Sequence, residues 1–188
     1  MDVPAGLAVF GTAVGAALGF AAGRLARPAE RPGVDAEAVA DLLEAAYARL
    51  DGERFALVLR VDAVETWRRT HGAAALDLFV RRLEEAVAAE LPDATDVRTG
   101  QAEVTAVCPG RPDRAGGLLG TLKARRFRLP SGAETLVTCS LGLAPAESGT
   151  TLADLRSRAG AAVRAAQEAG RWRAMVADGA GTRPLSAA

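Results

Sequence analysis

The sequence predicts an α/β (α+β) domain, a mixed β-sheet flanked by helices and preceded by one amino-terminal transmembrane helix. Three observations carry this expectation. Residues 3–23 contain no charged side chain. The run FALVLRV at 55–61 is β-rich and almost wholly apolar, as a central strand covered on both faces must be. Beyond it, short β-rich runs alternate with stripes of 3.6-residue period in the order β, α, β hairpin, α, β, α, β.

In chain order, the uncharged stretch comes first. As a helix rising about 1.5 Å per residue, residues 3–23 reach about 31 Å, enough to cross a bilayer core. Only Met1 and Asp2 precede it, whereas Arg24, Arg27 and Arg31 follow, so the remainder is expected on the cytoplasmic side of the cell membrane as a single-pass protein. Gly11, Gly15, Gly19 and Gly23 recur every fourth residue, which lines one helix face and lets a second helix approach closely. Membrane dimerisation follows from that face. An Ala/Gly-rich anchor with scattered glycines, or a buried soluble helix, are the alternatives.

Residues 24–34 read as a linker, punctuated by Pro and Gly in PAERPGV. Asp35 can then cap a helix reaching Leu50 through Val39, Leu42, Leu43 and Ala46. After the strand at 55–61, residues 72–90 place Leu76, Phe79, Val80, Leu83 and Val87 on one stripe, with Arg81, Arg82, Glu84 and Glu85 opposite. Strands at 96–99 and 103–108 suit a hairpin about Gly100 and Gln101. A helix is expected at 114–125, strands at 126–129 and 135–143, a helix at 151–169 and a last strand at 172–176. The tail 179–188 is expected to be disordered. The structured domain is thus 35–178.

Composition narrows the function. Lys+Arg and Asp+Glu both number 23, which removes the electrostatic case for a nucleic-acid partner. At 49% hydrophobic residues the chain can fill a core. Lys123 is the one lysine and His71 the one histidine, so a multi-His metal centre is impossible. Cys108 and Cys139 are too far apart in sequence for a CxxC site and too few for a disulfide framework, so they are expected as buried thiols on strands.

Four stretches add a specific resemblance. LRVDAVETWRRTHG, RTGQAEVTAVCPG, VTCSLGLA and AQEAGRWR, in this order, are similar to the "LDIDxFKxxNDxYGH", "RxGGDEFxxLLPG", "VTVSIGVA" and "AKxxGRNR" stretches of the diguanylate cyclase family, named for its GGDEF hairpin. Asp62, Gly72, Arg98, Gly100, Glu103, Pro109, Gly110, Gly170 and Arg171 fall in step. The resemblance, which covers about 35–178, implies a GGDEF, nucleotidyl-cyclase-like fold. It also implies a chemistry in which two GTP molecules are joined into cyclic di-GMP, with Mg²⁺ held by carboxylates on the first strand and the hairpin.

This sequence departs from the pattern where that chemistry is done. One metal-ligand position falls on Arg60 and another on Ala102; a guanidinium keeps its proton and repels a cation. Gln101 replaces the second glycine of the hairpin motif, Glu65 and Gln167 replace phosphate-contacting lysines, and Arg68 replaces a guanine-contacting asparagine. Asp77, Arg171 and Glu103 remain as a vestigial nucleotide-binding set, with Arg60 and Arg68 as possible additions. Two lost metal ligands, at a few kcal/mol each, imply a loss of roughly 10⁴-fold or more. The "LTGLxNR" entry segment is absent, and the RxxD inhibitory motif is replaced at Leu91 and Ala94.

Each surviving residue also has a plain structural reading. Glu103 is expected to pair with Arg60 across neighbouring strands rather than share a metal with Asp62. Asp77 lies where an acid favours the positive end of a helix, and His71 is expected as a turn or cap residue. Arg60 and Arg68 could alternatively grip phosphate without metal. The expected function is therefore a membrane-anchored degenerate GGDEF domain, not catalytic, without cofactor. It would act in cyclic di-GMP signalling as a scaffolding or interaction module, with a homodimer, another membrane or signalling protein and the lipid bilayer as partners. Two alternatives stay open: an active cyclase using Mg²⁺ at an altered site of Asp62 and Glu103, and a sensor that binds GTP without turning it over.

Overall fold

The computed structural model describes residues 41, 44, 45, 47, 52–123, 126–179 and 181–185. The expected membrane span 3–23, its glycine face and the linker 24–34 lie outside the described residues. Among the described residues no helix is long and apolar enough to cross a membrane.

Strand β1 (Arg54–Val61) is central, with all but its two arginines buried. A short helix, α1 (Val64–His71), and a long one, α2 (Ala73–Glu90), then follow, separated at Gly72, whose φ of +85° suits glycine. The hairpin is β2 (Thr95–Thr99) and β3 (Glu103–Pro109), and a 3₁₀ turn (Pro112–Ala115) leads into α3 (Gly116–Lys123). Next come β4 (Phe127–Arg128), β5 (Glu134–Thr135), β6 (Cys139–Pro145), α4 (Leu152–Glu168), β7 (Ala174–Asp178) and β8 (Gly181–Pro184).

Six strands form one mixed sheet in the order β2-β3-β1-β6-β7-β8, and β4 and β5 form a separate small ribbon. β1 is antiparallel to β3 and β6, whereas β6 and β7 are parallel. β2 carries a register break between Thr95 and Arg98, and Asp96 there has φ +48°. Along β1 the side chains alternate between two layers. Phe55, Leu57, Leu59 and Val61 join Leu76, Phe79, Val80, Leu83 and Val87 of α2 in the principal core. Ala56 and Val58 face the opposite side, that of α4. There Gly142 of β6 touches the helix so closely that a Cβ would lie 2.2 Å from the Ala159 carbonyl oxygen.

α4 is capped twice. The Thr151 hydroxyl accepts from the Asp154 N–H at 3.1 Å, and the Glu44 carboxylate accepts from the Leu152 and Ala153 N–H groups, both at 2.9 Å.

Four expectations are corrected. The tail is not wholly disordered, because Gly181–Pro184 pairs antiparallel with β7 as the sheet's last strand. The strand expected at 135–143 is two strands, since Leu136, Val137 and Thr138 leave the ladder between β5 and β6. The last central strand starts at Ala174 rather than 172, because Arg171 and Trp172 have φ of +63° and +45°. Helix α1 was not expected.

Candidate functional site

The exit of β1 holds three of the residues that the sequence singles out, Arg60, Asp62 and, from the neighbouring strand, Glu103. Arg60 and Glu103 lie opposite each other in the β1–β3 register. The Arg60 Nε donates to Glu103 Oε2 at 2.7 Å, and its terminal nitrogen reaches the same oxygen at 2.6 Å. The ion pair expected across neighbouring strands is therefore present.

Asp62, two residues on, is buried and faces a different set of partners. Its Oδ1 accepts from the Ser140 hydroxyl at 2.8 Å and from the Gln167 side-chain amide at 3.1 Å. Its Oδ2 accepts from the Trp172 backbone N–H at 3.2 Å. A buried carboxylate needs such donors, since an unpaired charge in the interior costs several kcal/mol. One carboxylate thus ties β1 to β6 and to the turn between α4 and β7. Ala63, Arg171 and Trp172, with φ of +50°, +63° and +45°, adjoin this knot. Left-handed backbone at non-glycine residues costs about 1–2 kcal/mol each, and the hydrogen bonds of Asp62 help to hold it.

The remaining candidates do not join these two clusters. Arg68 pairs with Glu65 one turn earlier on α1, at 2.7 Å, with both side chains exposed. Asp77 is exposed on α2. Arg171 is exposed, and its carbonyl accepts from Arg173 Nε at 3.3 Å. Among the described residues no hydrogen bond or ion pair connects Asp77, Arg171, Arg68, Glu103, Arg60 and Asp62 as one set. His71 ends α1 and contacts Trp67, with ring centroids 4.9 Å apart.

The donor set does not suit a divalent cation. Glu103 already receives the Arg60 guanidinium, Asp62 spends both oxygens on three protein donors, and Ala102 offers no side-chain ligand. Among the described residues no group of three or more His, Cys, Asp or Glu side chains is placed to hold a metal ion. Asp62 and Glu103 instead take part in two separate interactions in this structure. At the position of the inhibitory motif Leu91 is buried in the core, while Asp93 forms an ion pair with Arg114 at 2.9 Å. That guanidinium holds the Asp93 carboxyl below its ordinary range.

Both cysteines are buried free thiols, as expected. Burial pushes each up to about 12.

Sequence reasoning missed a groove on the α4 side of the sheet, between α4 and the hairpin. It is a cavity of about 570 Å³ into which Arg60, Arg98, Arg156 and Arg164 project. The signal was present: Arg156, Gly160 and Arg164 follow at i, i+4 and i+8 on one face of α4.

No protein-family model matches the sequence, and no curated protein matches it. Solved structures do. The GGDEF domain of DgcB from Caulobacter crescentus, in complex with c-di-GMP, is 21% identical with a TM-score of 0.67, over 82% of this chain and 99% of that one. The FimX GGDEF domain from Pseudomonas aeruginosa is 21% identical with a TM-score of 0.59, over 72% and 87%. The active GGEEF domain of a diguanylate cyclase from Vibrio cholerae is 17% identical with a TM-score of 0.63, over 76% and 96%. The chain has the GGDEF-domain fold.

Proposed function

We propose that this chain is a degenerate member of the diguanylate cyclase family whose domain has lost metal-dependent catalysis and serves as a signalling or assembly module. The single observation that carries this reading is the Arg60–Glu103 ion pair. It puts a permanent cation at the end of the strand where the resemblance calls for a metal-binding carboxylate. Asp62 supports the same reading, because the one acid left at the strand exit holds the fold together instead of facing solvent. No resident cofactor follows from this donor set.

The surroundings proposed for the module come from the sequence. Residues 3–23 anchor it in the cell membrane as a single pass, with the domain in the cytoplasm. Gly11, Gly15, Gly19 and Gly23 pair two copies, or one copy with another membrane protein. Losing catalysis while keeping a closely packed core is what a fold retained for its surface contacts would look like.

The full chain in detergent, incubated with GTP and either Mg²⁺ or Mn²⁺, is expected to release no pyrophosphate and to form no cyclic di-GMP. Product from either metal overturns the reading.

A further inference from the structure

A second cleft, of about 350 Å³, opens between α2, α3 and the β4–β5 ribbon, apart from the strand exit and from the hairpin. Its buried side chains are Phe79 and Phe127, which meet edge to face with ring centroids 5.2 Å apart, so its floor is packed in advance. Arg82, Arg126 and Arg128 line it as well, and all three are exposed. Neither Leu91 nor Ala94, at the place of the inhibitory motif, lines this cleft.

The charge on this face is one-sided. Residues 123–133 hold Lys123, Arg125, Arg126 and Arg128 and no acid, in a chain whose total charge is zero. Glu85 takes Arg82 at 2.6 Å, but Glu134 meets Arg126 only at 3.9 Å, and among the described residues Arg128 has no carboxylate within ion-pairing distance. Directly after β5, Leu136 is 58% exposed, the most exposed large apolar side chain among the described residues. Unmatched arginines beside a bare leucine suit a phase that is negative at its surface and apolar beneath.

We propose that this face, the β4–β5 ribbon with its cleft, docks on an anionic lipid leaflet. The inference rests on the membrane anchoring proposed above, because a tether at residues 24–34 keeps the domain at high local concentration beside the bilayer and a weak contact then suffices. Guanidinium forks match lipid phosphates, while the apolar stems of the arginines and Leu136 enter the headgroup layer. The surface attraction acts only within about 8–10 Å, so the face that carries the cations must be the one that touches. The cleft sits at the small end of the range for single small ligands and is too short a trough for a partner helix, whereas a leaflet needs no trough.

In the test, the full chain is reconstituted into liposomes of brominated phosphatidylcholine, with or without about a third phosphatidylglycerol, and carries a fluorophore on Ser131→Cys in the turn between β4 and β5. The native thiols are buried, so the label goes to position 131. Quenching is expected to be about twofold or more stronger with phosphatidylglycerol and to fall back at high salt. Arg126→Gln and Arg128→Gln are each expected to lower the ratio of docked to free domains about fivefold, and Leu136→Ser about as much, whereas Arg183→Gln on β8 leaves it unchanged. Equal quenching in both lipids, no effect of the arginine variants, or an equal effect of Arg183→Gln overturns the proposal. Quenching by neither lipid, with the label responding to soluble polyglutamate instead, also overturns it and assigns the face to an acidic protein. Flotation with pure phosphatidylcholine liposomes reads the anchor separately. A chain that floats there without charge-dependent quenching loses the docking and keeps the anchor; one that floats only with phosphatidylglycerol loses the anchor and keeps the docking.

Discussion

Arg60 and Glu103 face each other across the β1–β3 ladder, with two guanidinium nitrogens on one carboxylate oxygen at 2.7 and 2.6 Å. Both side chains keep about a quarter to a third of their surface in water, so the pair is screened and its stabilisation is modest. A double-mutant cycle with Arg60→Ala and Glu103→Ala, followed by urea unfolding, is expected to give a coupling of about 0.5–1 kcal/mol. A coupling of zero would remove the pair as a reason for these residues.

Asp62 should matter far more to stability. Asp62→Ala leaves the Ser140 hydroxyl, the Gln167 amide and the Trp172 N–H without their shared acceptor, in a buried position. The expected loss is about 2–4 kcal/mol in urea unfolding. A loss below 0.5 kcal/mol would mean that water replaces the carboxylate there.

Gly142→Ala would drive a methyl group to within 2.2 Å of the Ala159 carbonyl oxygen and 2.3 Å of the Val163 nitrogen. Both are backbone atoms of α4, so relief requires the helix to move off the sheet. Overpacking of this kind costs about 1–3 kcal/mol or more, which lowers the melting temperature by about 3–10 °C in a chain of this size. Calorimetric melting of the variant against the parent measures it.

The thiols of Cys108 and Cys139 rise from 9.0 to about 12 because burial disfavours the thiolate. Below pH 9 both folded and unfolded thiols are protonated and the stability they contribute is intact. Between pH 9 and 12 only the unfolded chain ionises, so stability falls as pH rises through that window. Labelling with a thiol reagent at pH 8 is expected to be slow in the native protein and fast in urea. Fast native labelling would contradict the burial.

Gly15→Ile together with Gly19→Ile is expected to weaken self-association about tenfold in a membrane two-hybrid reporter, because the added side chains hold the helices apart. An unchanged signal would leave residues 3–23 as a tether only.

The parts of the fold that sequence disclosed are those with a strong apolar period. FALVLRV became β1, and the stripe from Leu76 to Val87 became the buried face of α2. Helix α1 escaped notice because Trp67 is its one buried residue, and eight largely polar positions carry no readable stripe. β8 escaped for the same reason, as all four of its residues are exposed. At the site, the Arg60–Glu103 pair was legible because a cation near the end of a foreseeable strand and an acid opening the second strand of a foreseeable hairpin carry opposite charges. The knot around Asp62 was not, since Ser140 and Trp172 are brought to it from 78 and 110 residues away. The groove stayed hidden because the apolar stripe of α4 explains that helix without its arginines.

The two outer strands of the main sheet are both poor templates. β2 breaks register before Arg98, and β8 finishes on Pro184, which has no N–H to offer a newcomer. Each therefore offers fewer regularly spaced backbone donors and acceptors to a further strand than an unbroken edge would.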